Sequence, residues 1–167
     1  MYESILFPTD GSEGADAALS HAEDIAQQYG ATLHVLYVAQ RDTSSFGMAG
    51  EDHETEHETG MTEDHHEGPD TGMTNVAHGD GVSSVEHGQG LTDSVAEVVG
   101  DDVSVETEVV TGTPYESILG YAEETDIDLV VMGTHGRTGV DRYLLGSVTE
   151  KVVRTSDVPV LTVRMDE

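Results

Sequence analysis

The chain has 167 residues, with six Lys and Arg against 34 Asp and Glu and a formal charge of −28 at pH 7. It therefore has room for one domain with one sizeable core, and it repels nucleic acid and anionic membranes. It has no cysteine, which excludes disulfides, thiolate metal sites and a cysteine nucleophile.

The first apolar run, Ile5-Leu6-Phe7-Pro8, is stopped by proline and reads as a buried parallel strand. Thr9-Asp10-Gly11-Ser12 makes the turn. From residue 13 to 29, Ala15, Ala18, Leu19, Ala22, Ile25 and Ala26 recur at helical spacing, and Gly30 closes the pattern as a C-terminal cap. A second strand follows over residues 33–38, so the opening reads β-α-β, with a right-handed crossover onto a parallel sheet. His21 and His34 lie inside these elements without a second ligand at metal-like spacing, and read as surface or structural residues.

The character changes after Ala39. Residues 42–90 contain no Lys or Arg and hold six of the nine histidines, His53, His57, His65, His66, His78 and His87. Gly47-Met48, Gly60-Met61 and Gly72-Met73 form a weak repeat. Such a segment buries too little apolar surface to offset its chain entropy, so residues 41–90 are expected to be a disordered acidic insertion within a single domain spanning 1–167. Its imidazoles and thioethers leave open weak binding of copper or nickel.

Order is expected to resume near Leu91 in a short helix with Leu91, Val95, Val98 and Val99 on one face. Residues 103–110 read as the third strand, and Pro114 opens a third helix whose apolar side carries Ile118, Leu119, Tyr121 and Ala122. The fourth strand, residues 128–133, is the most apolar run and is expected near the sheet centre. A helix follows Gly146, and residues 158–163 form the fifth strand. Alternating strands and helices argue for an α/β fold, a single open parallel sheet with helices on both faces.

Between the fourth strand and the last helix runs Gly133-x2-Gly136-x9-Gly146-Ser147. Glycine loops ahead of a helix N-terminus expose backbone amides and suit an anion such as phosphate. The spacing is neither the Walker A loop nor the dinucleotide fingerprint. With the neighbouring text Gly-Thr-His-Gly-Arg-Thr-Gly and Leu-Leu-Gly-Ser-Val-Thr-Glu, the chain resembles a universal stress protein of the ATP-binding type. That resemblance implies a five-stranded Rossmann-like sheet, related to the adenine nucleotide alpha hydrolases, in the order 3-2-1-4-5. It also implies that Gly133, Gly136, Gly146 and Ser147 hold the phosphates and ribose of ATP, and that Pro8, Val38, Met132 and Val148 line the site. Strands 1 and 4 then flank a topological switch, the place where ligands bind in such sheets. Asp10 would meet ribose hydroxyls or the adenine amine there.

Competing readings stand beside these. Asp10 with Glu13, and Ser147 with Glu150, each fit a helix capping box, and Met132 fits plain core. Arg137 and Arg142 would screen phosphate charge or pair with surface carboxylates. His135 has no triad partner in its loop. The loop after the first strand carries neither His-x-Gly-His nor Ser-Gly-Gly-x-Asp-Ser, so slow ATP hydrolysis, or a copper or nickel buffer built on the histidine–methionine insertion, is the alternative to a regulatory, stress-response module with an unnamed protein partner. Mg²⁺ or Mn²⁺ is expected with the nucleotide, and the resemblance suggests a homodimer through the strand 5 edge. The apolar runs fall short of the ~20 residues of a membrane span and Met1-Tyr2-Glu3-Ser4 lacks a basic signal-peptide start, so the expected location is the cytoplasm.

The carboxylate excess is the usual solubility device of salt-adapted organisms, and an origin in a halophilic archaeon is expected. Self-repulsion is screened over about 10 Å at 0.1 M salt and about 3 Å at 1 M. The melting temperature, followed by circular dichroism, should therefore rise as salt is raised between these concentrations.

Overall fold

The computed structural model describes residues 1–40, 80–136 and 145–165. Its elements are β1 (Ser4–Pro8), α1 (Glu13–Tyr29), β2 (Thr32–Ala39), α2 (Asp80–Val98), β3 (Val105–Thr111), α3 (Pro114–Glu124), β4 (Leu129–Gly133), α4 (Ser147–Thr155) and β5 (Val160–Val163). Every pairing is parallel and the strand order is β3-β2-β1-β4-β5. The centre belongs to β1, with β4 beside it. The histidine–methionine insertion up to residue 79, together with Arg137 and Arg142, lies outside the described residues.

Successive strand residues point to opposite faces, and both faces are covered. Ile5, Phe7, Leu33, Val35 and Val131 meet the alanine stripe of α1, namely Ala15, Ala18, Ala22 and Ala26. Leu6, Leu36, Val130 and Met132 meet Ile118 and Ala122 of α3 and Val152 of α4. His34 belongs to this second face. Its Nδ1 lies 3.0 Å from the Tyr121 hydroxyl and 3.6 Å from a Glu106 carboxylate oxygen. Burial pushes its pKa below the usual imidazole value, against the opposing pull of Glu106. Its role is structural, and His21 is exposed on α1.

α1 has the bounds that its alanine spacing implies, and Gly30 takes the left-handed cap conformation at φ 66°. Its N-cap, however, is Ser12, whose hydroxyl accepts from the Ala15 amide at 3.3 Å. Asp10 stands two residues upstream, accepting from the Ser12 amide at 3.0 Å, so it is not the cap that the Asp10–Glu13 spacing offered. α2 differs more. It begins at Asp80, so residues 80–90 belong to a helix and not to a disordered insertion. Its buried stripe runs Gly88, Thr92, Val95 and Val99. The upper half of that stripe has no large apolar residue because it lies on the Tyr37 ring, where a Cβ added to Gly88 would collide with the ring. Val98, expected on the inner face, is 70 % exposed.

The first turn of α1 rests on the end of β4. A Cβ on Gly133 would strike the Gly14 carbonyl, and a Cβ on Gly14 would strike the His135 carbonyl. Backbone cannot yield as a flexible side chain does, so Gly14→Ala should destabilise the fold by about 1–3 kcal/mol. Gly90→Ala, with open space around its Cβ in the middle of α2, should stabilise by about 0.5–1 kcal/mol. Urea denaturation of the two variants checks both signs.

Candidate functional site

β1 pairs with β2 over five residues but with β4 only through Ile5–Leu129 and Leu6–Val130. Pro8 brings no amide to a further rung, and the chain turns away on both sides: Thr9 N–H stays with the Leu36 carbonyl and Thr134 N–H with that of Val163. A crevice opens between the carboxyl ends of β1 and β4. α1 leaves over one face and α4 runs back over the other, so two helix N-termini flank it.

Into this crevice the fold brings residues that are far apart in sequence. Asp10 reaches across from the β1 loop, with Oδ2 only 2.7 Å from where a Cβ on Gly136 would stand. Gly146 is the N-cap of α4 and, having no side chain, offers no cap of its own. An α-helix leaves its first amides without an intrahelical acceptor, here those of Ser147, Val148 and Thr149. Ser147 itself is the first helical residue, exposed, and so not the cap of a Ser147–Glu150 box; Glu150 pairs instead with Arg154 at 2.6 Å. The Gly146 amide departs from expectation, because it donates to the Thr134 carbonyl at 2.7 Å and does not face a ligand. It closes the loop instead. Gly133 likewise is a packing residue at the strand end, and its carbonyl accepts from the buried Thr149 hydroxyl at 2.9 Å.

Pro8 and Val38 are half-buried at the carboxyl ends of β1 and β2, and Val148 is half-buried at the amino end of α4. Val38 and Val148 pack on the core that contains Met132, which is 6 % exposed. Met132 is therefore a core residue. His135 has its Nδ1 3.0 Å from the Thr134 hydroxyl, and its buried Nε2 has no hydrogen-bond partner among the described residues. No group of three or more His, Asp or Glu side chains suited to a metal ion occurs among the described residues. No described helix is long and apolar enough to cross a membrane.

Sequence reasoning did not anticipate two features at this end of the sheet. A cleft of about 570 Å³ opens at the carboxyl ends of β2 and β3, where Gln40 and Thr111–Thr113 meet Pro114, Glu116 and Ser117 of the first turn of α3. Leu91 of α2 lies against Gly11, which has φ 73°, and so covers the loop that carries Asp10. The signal for the second was Leu91 itself, an isolated leucine in a polar stretch.

Residues 1–164 match the universal stress protein family. Universal stress protein MJ0531 of Methanocaldococcus jannaschii is 32 % identical over 98 % of this chain and 83 % of its own length. MJ0577 of the same organism is 33 % identical over 98 % of this chain and 96 % of its own. The solved structure of MJ0577 superposes with a TM-score of 0.75, covering 100 % of this chain and 99 % of that one. Universal stress protein UspA from Lactobacillus plantarum superposes at 0.71 with 25 % identity, covering 98 % of each chain. Sheet order, glycine spacing and these likenesses agree, and the chain belongs to the universal stress protein family.

Proposed function

We propose that the chain is an ATP-binding module of a stress response, in which the bound nucleotide alters the surface shown to a partner protein. The observation that carries this reading is the meeting of Asp10 with Gly136 at the mouth of the β1–β4 crevice, beside the uncapped N-terminus of α4. A carboxylate suits ribose hydroxyls, and amides at a helix N-terminus suit phosphate. The half-buried apolar side chains of Pro8, Val38 and Val148 suit the face of a base. Universal stress proteins of the same fold have been solved in complex with cAMP and, from Archaeoglobus fulgidus, with dAMP; these support an adenine nucleotide.

A triphosphate brings more charge than a few amides offset, so Mg²⁺ or Mn²⁺ accompanies it in this reading and supplies charge neutralisation among the phosphate oxygens. The hard oxygens that the chain itself offers nearby are the Asp10 carboxylate and the Ser147 hydroxyl. The bareness of Gly136 fits such a ligand, because any side chain there would fill the space in front of Asp10.

The proposal includes a homodimer through β5. The two sheet edges differ in kind. β3 exposes Glu106, Thr107 and Glu108, whereas β5 exposes Leu161, with Val153 and Met165 also exposed in the same C-terminal stretch. An exposed apolar edge is normally paired or covered, and charge protects the other.

Two measurements test the reading. Gly136→Val, which points a β-branched side chain at Asp10, should keep its circular dichroism spectrum and lose at least about tenfold in ATP affinity by calorimetry, a loss of about 1.4 kcal/mol. Full affinity in the folded variant counts against the site. Light scattering at 1 M salt or above should give twice the chain mass, and a monomer's mass would remove the dimer.

A further inference from the structure

Lys151 lies on α4 one turn beyond Ser147 and Val148, and its ammonium sits 4.7 Å from the centroid of the Tyr115 ring in the first turn of α3. In a chain with 34 carboxylates this ammonium pairs with none among the described residues, while Arg154, three residues on, pairs with Glu150 at 2.6 Å. Tyr115 is held in place by packing on the same core as Val38 and Val148, and its hydroxyl donates to Glu116 at 3.0 Å on the exposed side. The contact thus joins the first turn of α3 to the second turn of α4.

Helical side chains lean toward the helix N-terminus, so Lys151 leans toward the amides of Ser147, Val148 and Thr149. At about 1.5 Å rise per residue, Ser147 is about 6 Å away along the axis, within the span of a lysine side chain. A cation over a partly buried surface ring is held weakly, whereas an ammonium on phosphate makes a charge-assisted hydrogen bond of roughly twice the ordinary strength. A compact charge on a flexible stem is suited to donating to phosphate while it stays against the ring.

We propose that Tyr115 parks the Lys151 ammonium beside the N-terminus of α4, and that this pair makes the site select a nucleoside triphosphate over a monophosphate. The inference rests on the nucleotide reading above. A single phosphate is served by the first-turn amides. Each further phosphate adds charge that the amides leave unmatched, and Lys151 meets it. Lys151 contacts the ligand, and Tyr115 acts through Lys151 as a positioning residue.

The test is titration calorimetry of the full chain with Mg-ATP and with AMP at one fixed salt concentration. The unsubstituted protein should bind ATP more tightly than AMP. Lys151→Met should weaken ATP binding about tenfold, the worth of a charge-assisted hydrogen bond, and AMP binding by less than about twofold. Arg154→Met makes the same charge change on the same helix and should leave the ATP:AMP ratio where it was. Tyr115→Phe keeps the ring and should keep the ratio, while Tyr115→Leu should lower it. An unchanged ratio in Lys151→Met, or an equal loss for both nucleotides, overturns the inference. Failure of the unsubstituted protein to bind any adenine nucleotide overturns the nucleotide reading instead.

Discussion

The structure depends on the close approach of two stretches of bare backbone, Gly14 at the start of α1 and Gly133 at the end of β4. Neither position has space for a methyl group, since each would drive a Cβ into a main-chain carbonyl. That contact fixes the distance between the loop after β1 and the loop after β4. It therefore sets how Asp10 meets Gly136. The alanine stripe below continues the same device along α1, keeping the helix low on the sheet so that the β1–β4 mouth stays narrow. Glycine near the crevice thus does two jobs: Gly14 and Gly133 let the backbone pack, and Gly136 leaves room before a carboxylate.

A charge of −28 poses a problem for any protein read as holding a polyanion. Positive charge is sparse, and five of the six basic residues fall in the last 31 positions. Those within the described residues follow β4 in the chain: Lys151 and Arg154 on α4, and Arg164 directly after β5. The rest of the attraction has to come from dipoles, which carry no net charge and survive in an acidic chain. The uncapped start of α4 is such a source, with partial positive charge confined to its first turn. An N-cap side chain at position 146 would compete with a ligand for the same amides, which gives Gly146 a physical reason that its spacing alone does not supply.

Much of this was legible in the sequence, and the parts that were not have a common cause. The bounds of α1, its Gly30 cap, the five strands and the proline start of α3 follow from periodicity and turn chemistry, which are local. The strand order came from resemblance, because pairing between β1 and β4 is not local. The upper half of α2 escaped notice because its buried stripe is Gly88, fitted to the Tyr37 ring, and Thr92, with no large apolar residue to mark it. The Gly146 amide was assigned to a ligand because a spacing of glycines cannot show which amides the loop itself uses, here through the Thr134 carbonyl. The Ser12 cap was hidden by Asp10, since Asp, Ser and their neighbours satisfy the same capping pattern two residues apart. The contact of Lys151 with Tyr115 joins two helices and has no sequence signature.

The two edges of the sheet show how acidity and association fit together. In parallel sheets an outer strand offers a row of unpaired amides and carbonyls to any similar strand. β3 answers with Glu106 and Glu108, and the same carboxylates bear on Tyr121, raising its pKa together with burial, the larger cause. A second chain approaching that edge would bring like charges together at a few ångströms, where screening by salt is incomplete even at about 1 M. β5 and the turn before it, Val158-Pro159-Val160-Leu161-Thr162-Val163, carry no charge at all. Two chains of the same sign associate most readily where their fields are weakest, so the proposed dimer and the acidic surface are compatible only if the contact is confined to this short neutral edge. The same confinement leaves the carboxyl ends of β1 and β2 open, on the far side of β4 from the contact.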